Sequence, residues 1–212
     1  IIEVIFWHIN CTTLKMDILE RFIAFILFII LLPFILLISL MIFIFEPLKP
    51  IIYKGVRIGR FGRRFVMYKF RTLKLNAENT INGGLLKENM KLETLLGRIL
   101  RFTKLDELPQ LINIMKGEMS FIGPRPVRPV RFYTSLAKIK DYEKRFLVKP
   151  GLSGIAQVEG GYYSSEEEKL IWDMHWIKNM SFKLYLAYIF KTMVQLSYKI
   201  LYKPVLSKVK VP

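Results

Sequence analysis

Asp106 and Glu107 are adjacent carboxylates in the nine-residue run Thr103-Lys104-Leu105-Asp106-Glu107-Leu108-Pro109-Gln110-Leu111. Leu111, Ile112, Ile114 and Met115 continue it as an apolar helical face, and Lys116-Gly117 ends it with a basic residue and a C-terminal glycine. Pro109 is tolerated in a first helical turn, where its missing N–H costs nothing. The pattern predicts Asp106 at or just before the N-cap and Glu107 in the first turn, where the positive end of the helix dipole favours both ionised carboxylates. The same end suits a bound phosphate. Carboxylates and phosphate can share one place only if a metal or arginines neutralise the charge. The plainer reading of the pair is a helix cap.

Cations of the required kind are present. Arg101 precedes Asp106 by five residues and could reach the same pocket across the turn. Gly123-Pro124-Arg125-Pro126 fixes a rigid, non-helical backbone around one arginine, and rigid presentation of a planar guanidinium suits bidentate phosphate binding. The plainer reading of Arg125 is a surface arginine in a turn. In Lys69-Phe70-Arg71-Thr72 the cations alternate with aromatics in an apolar context. His8 and His175 are too few and too far apart for a histidine metal centre, and the lone Cys11 excludes an internal disulfide and a cysteine-rich zinc site.

The 212 residues suit one domain, or one small domain with a membrane element. Hydrophobic content is 52% and mean hydropathy +0.31, high for a soluble domain. A net charge of +16 calls for an anionic partner: nucleic acid, an anionic membrane face or phosphorylated substrates.

The elements that must position the site begin with Phe22–Phe45, an uncharged run interrupted only by Pro33 and Ser39. It is long enough to cross a bilayer, and too long for a signal peptide, whose small-residue cleavage site it lacks. Hydropathy alone favours a single crossing helix. Pro33, near the middle, removes a backbone hydrogen bond and kinks a helix. Lys15 and Arg21 precede the run, and Lys49, Lys54, Arg57, Arg60, Arg63 and Arg64 follow it. Basic flanks mark the cytoplasmic side, so two of them favour a re-entrant helix bending at Pro33 over a crossing one.

Ile1 to Thr13 reads as a short strand or part of a linker. Ile51, Tyr53, Val56 and Ile58, then Phe65, Val66, Tyr68 and Phe70, predict two strands around Gly59-Arg60-Phe61-Gly62. This small basic hairpin either faces lipid phosphates or is a solvated charge run. Asn76 to Asn89 reads as a loop, and Leu92, Leu95, Leu96, Ile99 and Leu100 as the core face of a helix. Asp141 to Phe146 reads as a short charged helix, followed by a glycine-punctuated turn and strand over Lys149–Val158. Ser164 or Ser165 can cap a helix starting at Glu166, with Leu170, Ile171, Met174 and Ile177 on one side. Ser181–Lys203 mixes apolar, aromatic and basic residues and suits an amphipathic helix lying in a membrane interface.

With these pieces in order, the chain resembles the bacterial sugar transferases, the monotopic polyprenyl-phosphate glycosyl-1-phosphate transferases. The resemblance covers roughly residues 15 to 195. It rests on Val56-Arg57-Ile58-Gly59 with Tyr68-Lys69-Phe70-Arg71-Thr72, on Thr103 to Leu111, on Lys116 to Pro126, and on Lys149-Pro150-Gly151-Leu152-Ser153-Gly154 with Ala156-Gln157-Val158. Any one motif is weak, but together in this order they are specific.

The resemblance implies transfer of a sugar-1-phosphate from a UDP-sugar to polyprenyl (undecaprenyl) phosphate, with release of UMP, as the initiating step of bacterial polysaccharide or glycoconjugate assembly. It implies Asp106 as nucleophile and Glu107 as the ligand of a Mg2+ cofactor. It implies phosphate or substrate contacts from Lys69, Arg71, Arg101 and Arg125, and membrane lipids rather than nucleic acid as the further partner, with a homodimer as a candidate assembly. The expected location is the cytoplasmic leaflet of the bacterial inner membrane, and the resemblance favours the re-entrant form. Three positions depart from the family's habits: Gly161 for an Arg or Lys, Gly55 for a Gln, and Leu32-Pro33 for a Ser-Pro pair at the kink.

The expected fold class is α+β, mainly helical, with a kinked re-entrant membrane helix, a small basic β-hairpin and interfacial amphipathic helices. Residues 1–14 would be a linker or the remnant of an upstream region, 15–48 the membrane helix, 49–203 a cytosolic catalytic domain with its interfacial helix, and 204–212 a tail. A first residue of Ile1 rather than Met leads us to expect a fragment of a longer protein. Two alternatives stay open: a non-enzymatic membrane-anchored module whose basic face binds anionic lipid or nucleic acid, and a glycosyltransferase that moves only the sugar.

Overall fold

Between Ile2 and Leu32 the sequence holds neither glycine nor proline, so nothing stops a helix once it starts. The computed structural model describes residues 2–47, 49–74, 92–160 and 164–202, with side chains from Met16 onward. In it this stretch is a single α-helix, α1 (Ile2–Phe45). From Ile2 onward the N-terminal residues are therefore helix, not strand or linker, because extending a nucleated helix gains one hydrogen bond per residue fixed. Pro33 lies inside α1, which continues on both sides of it. Met16–Phe45 is the one helix among the described residues long and apolar enough to cross a membrane.

Over Met16–Phe45 one face of α1 is buried and the other is not. Ala24, Leu27, Phe28 and Leu31 pack with Phe65, Met67, Leu111, Ile114 and Met119. Beyond Pro33, Ile35, Ile38 and Ile42 pack with Phe70, Leu96, Leu100 and Leu108. Of these α1 residues Ala24, Ile38 and Ile42 are fully buried, and a buried isoleucine is worth about 1.5–3 kcal/mol, so the helix is attached on both sides of Pro33. Phe22, Ile30, Phe34 and Phe45 are all more than half exposed. Polar ties hold both ends of its apolar stretch, Met16–Phe45. Asp17 pairs with Lys149 at 2.7 Å, and Glu20 accepts hydrogen bonds from Ser120 Oγ and Tyr185 Oη, each at 2.5 Å. At the other end Glu46 pairs with Arg71 at 3.3 Å.

β1 (Ile52–Ile58) and β2 (Arg64–Phe70) pair antiparallel, with Val56 opposite Val66. They are joined by a tight turn at Arg60–Gly62. Alternation along β2 turns Phe65 and Met67 onto α1 and puts Lys69 on the same face. α2 (Leu95–Thr103) is capped by Thr94, whose Oγ1 accepts from the Gly97 N–H at 2.9 Å. A Cβ on Gly97 would collide with the Thr72 backbone, so glycine is what lets α2 close on the end of β2. That approach sets the rotation of α2. Of the face expected to be core, Leu100 is buried, while Leu95 and Ile99 turn outward at 73% and 42% exposure.

Lys104, with φ of 63°, ends α2 and opens a 3-10 helix over Leu105–Gln110, which runs into α3 (Leu111–Met115). β3 (Ser120–Ile122) lies parallel to β4 (Gly151–Ser153). Between them come α4 (Pro129–Leu136) and a second 3-10 helix at Tyr142–Leu147. α5 (Ile155–Val158), α6 (Glu166–Asn179) and α7 (Phe182–Tyr202) complete the chain. Ser165 caps α6 in a reciprocal box with Glu168. The buried side of α6 is Leu170, Asp173, Trp176 and Ile177; Ile171, expected there, is 67% exposed. The charge of Asp173 must face its buried partner, Arg145, and this sets the helix rotation. Tyr185 and Tyr188 anchor α7 in a core with Trp176, Ile155 and Val148, while Leu186, Phe190, Met193 and Leu201 are exposed. The fold is mainly helical, with two small two-stranded sheets among the described residues. The expected loop over 76–89, Gly161 and the tail from Lys203 lie outside the described residues.

Candidate active site

Asp106 and Glu107 sit in a tight 3-10 turn rather than at the N-cap of an α-helix. Lys104 is the capping residue, and the carboxylates are the second and third residues of the turn. Pro109 explains the difference: it has no N–H, and it disfavours the α conformation at Leu108. The regular helix starts only at Leu111. Side chains three apart eclipse in a 3-10 helix, so Glu107 shares a face with Gln110 and Asp106 points elsewhere.

The cations divide unequally between the two carboxylates. Lys69 Nζ lies 2.6 Å from Glu107 Oε1 and 3.9 Å from Asp106 Oδ2. Arg125 Nη2 and Lys104 Nζ reach the same Glu107 oxygen at 3.4 Å and 3.9 Å. Asp106 is 5% exposed, and its Oδ1 has no hydrogen-bond partner among the described residues. Burial raises the Asp106 carboxyl above its usual range, Lys69 opposing and the charge of Glu107 adding to the rise. Burial acts the same way on Glu107, but Lys69, Arg125 and Lys104 outweigh it and hold that carboxyl well below its usual range. Lys69 is itself pushed down by burial, against the pull of Glu107.

Among the residues the sequence singled out, Lys69, Asp106, Glu107 and Arg125 come together. Arg101 pairs instead with Glu93 at 3.0 Å and acts on Asp106 only as a more distant charge. Arg71 is buried beside Glu46, and that ion pair lacks hydrogen-bond geometry, so its guanidinium nitrogens have no well-formed bond. Two neighbours were not anticipated. Lys104 had a visible signal, a cation just before the acidic pair. Gln110 had none, yet it is 2% exposed and its Nε2 has no partner among the described residues.

Mg2+ takes one or two protein carboxylates and fills its remaining positions with water and substrate phosphate. Among the described residues no three His, Cys, Asp or Glu gather around one point. The ion pairs of Glu107 all fall on Oε1, so its second oxygen, Oε2, lies outside them and fits that sparse donor set.

The candidate site is thus a buried carboxylate with a free oxygen, set among cations and beside a long apolar helix. The chain belongs to the bacterial sugar transferase family, whose model matches residues 12–199. It is similar to the uncharacterized sugar transferase EpsL of Bacillus subtilis, 40% identical over 136 residues, covering 64% of each chain. It is 36% identical over 181 residues to the UDP-N-acetylgalactosamine-undecaprenyl-phosphate N-acetylgalactosaminephosphotransferase of Aeromonas hydrophila, covering 84% of this chain and 41% of that one. It is 33% identical over 157 residues to the undecaprenyl-phosphate galactose phosphotransferase of Salmonella typhimurium, covering 68% of this chain and 32% of that one. The chain thus spans from about a third to under two thirds of the length of these relatives.

Proposed function

We propose that this chain transfers a sugar-1-phosphate from a UDP-sugar to undecaprenyl phosphate and releases UMP, through a covalent phosphosugar on Asp106. The observation that carries the reading is the asymmetry of the pair. Glu107 is held by three cations, while Asp106, equally buried, keeps one oxygen unpartnered. A nucleophile needs such a free oxygen, and its raised affinity for protons goes with greater nucleophilicity of the ionised form. The relatives' names, which combine undecaprenyl phosphate with galactose or N-acetylgalactosamine transfer, support the same substrate classes.

In the first step an Asp106 carboxylate oxygen attacks the phosphorus attached to the sugar. A bond from oxygen to phosphorus forms, the diphosphate P–O bond breaks, and UMP leaves with the electron pair. In the second step a phosphate oxygen of the lipid attacks the same phosphorus and Asp106 departs as a carboxylate. Lys69 and Arg125, beside the carboxylates, would balance charge on the phosphoryl oxygens, and Arg101 would add a longer-range charge. Glu107 would hold Mg2+, which when bound neutralises the diphosphate. Arg71, buried with unfilled donors, suits the phosphate of a substrate arriving along α1.

α1 also supports a membrane placement for the chain. Asp17 and Glu46, at the two ends of its apolar stretch, pair with Lys149 and Arg71 of one and the same domain. A straight crossing would set those ends on the order of 40 Å apart, on opposite sides of a hydrocarbon core of ~30 Å, and drag the charged domain into lipid. A re-entrant placement, with Pro33 at the bend and α7 in the interface, leaves the site at the cytoplasmic leaflet of the inner membrane.

The test is incubation of the purified chain with UDP-galactose, UDP-glucose or UDP-N-acetylgalactosamine and Mg2+, without lipid acceptor. The expected result is release of up to one UMP per chain and a sugar-phosphate mass on the peptide holding Asp106. Release of UDP instead of UMP would identify transfer of the sugar alone.

A further inference from the structure

Arg145 shares with Asp173 the deepest burial of any charged residue described, 2% exposed each, and neither the sequence motifs nor the reaction above uses it. It stands on the 3-10 helix Tyr142–Leu147 and reaches two other parts of the fold. Its Nη2 pairs with Asp173 of α6 at 2.7 Å and donates to the backbone carbonyl of Arg125 at 3.5 Å. Its Nη1 donates to Tyr142 Oη at 2.7 Å and pairs with Glu166 at 3.5 Å. Burial pushes Asp173 up to about 6 against the pull of Arg145, which leaves it ionised at neutral pH.

A buried ion pair is a poor device for stability, since apolar residues of similar volume do as well or better. Its use here must therefore be sought in what it holds. The backbone on both sides of Arg125 is held by hydrogen bonds. Gly123 N–H donates to Ser153 O, Gly151 N–H to Pro124 O, and Ile58 N–H to Val127 O. Arg145 adds a tie at the carbonyl of Arg125 itself. We infer that Arg145, oriented by Asp173, is a positioning residue: it fixes the backbone from which Arg125 reaches Glu107 and the transferred phosphate. The inference rests on the role given to Arg125 in the proposed reaction.

The test is a double-mutant cycle on UMP release by the purified full chain, with UDP-galactose, UDP-glucose and UDP-N-acetylgalactosamine as probes. Arg145→Lys keeps the buried charge but loses the fork; Arg145→Met with Asp173→Leu removes both charges and leaves none unpaired. Each is expected to retain membrane association and cooperative melting. Each is expected to lower kcat on the order of ten- to a hundredfold, as misplacement of a catalytic cation does. In an Arg125→Ala background the same changes are expected to lower kcat less than about twofold further, because the group they position is gone. Loss that multiplies fully in that background, or wild-type activity in a folded variant, overturns the inference. If the double variant fails to melt cooperatively, Arg145→Lys alone decides by the same comparison. If Arg125→Ala itself has wild-type turnover, it is the proposed site, not the positioning role alone, that fails.

Discussion

The Nζ of Lys69 lies 2.6 Å from Glu107 Oε1 and 3.9 Å from Asp106 Oδ2, so the cation between two neighbouring carboxylates serves mainly the second. This one relationship separates a held carboxylate from an available one. It also tells which substitution should remove chemistry and which should remove charge balance.

Asp106→Asn is expected to abolish both the covalent adduct and turnover, since an amide is a far weaker nucleophile. Glu107→Gln is expected to raise the Mg2+ requirement and lower kcat on the order of a hundredfold or more, while the adduct on Asp106 still forms slowly. Single-turnover UMP release and peptide mass spectrometry check both. Turnover by Asp106→Asn with a dead Glu107→Gln would reverse the two roles.

Lys69→Met is expected to lower kcat roughly a hundredfold, the usual scale for removing one preorganised charge from a transition state. Lys69→Arg should recover part of the loss, because a cation remains near both carboxylates. Equal activity of the Met variant and the parent would show that Lys69 only stabilises the fold.

Glu166 gives a pH dependence of defined sign. Burial alone would raise its carboxyl, but Lys169, Arg145 and Arg131 hold it below the ordinary value of 4.5. A carboxyl lowered in the folded state stabilises the fold above its unfolded value, and the gain is lost as pH falls through the folded value. The melting-temperature gap between parent and Glu166→Gln is therefore expected to be largest near pH 7 and to shrink below about pH 4.5. A gap constant from pH 7 to pH 3 would contradict it.

Cysteines introduced at Thr13 and Lys49, on either side of the apolar stretch and in a Cys11→Ser background, are expected to label from the same side of sealed vesicles. Labelling from opposite sides would establish a crossing helix and leave Pro33 as a kink.

On α7, charge reversal at Lys183 is expected to weaken binding to anionic liposomes by about 1 kcal/mol. Reversal at Lys191 is expected to do less for the membrane, because Glu159 already holds its ammonium at 2.6 Å. Co-sedimentation of the purified chain with vesicles of mixed anionic and neutral lipid measures both. Unchanged binding of the Lys183 variant would remove α7 from the interface.

Much of this architecture was written locally. A stretch without glycine or proline made α1, Ser165 and Glu168 made the cap of α6, and Gly123 to Pro126 made a rigid support for Arg125. The chemical pair was legible for the same reason: Asp106, Glu107 and Pro109 are neighbours, and their types alone restrict what that turn can do. Partners were not legible, because an ion pair depends on where distant elements pack and local propensity carries no such information. Lys69 is 38 residues from Glu107 and meets it because Phe65 and Met67 of the same strand face are buried against α1 and α3. Arg71, two residues further on, is diverted to Glu46 at the end of α1, and Arg101 to Glu93. Arg145 looked like one charge in a charged helix, and only the closing of α6 over it made it a buried tie to Arg125. The sequence determined which charged groups that turn carries; tertiary packing decided which carboxylate the cations hold, because only burial turns a nearby charge into a committed one.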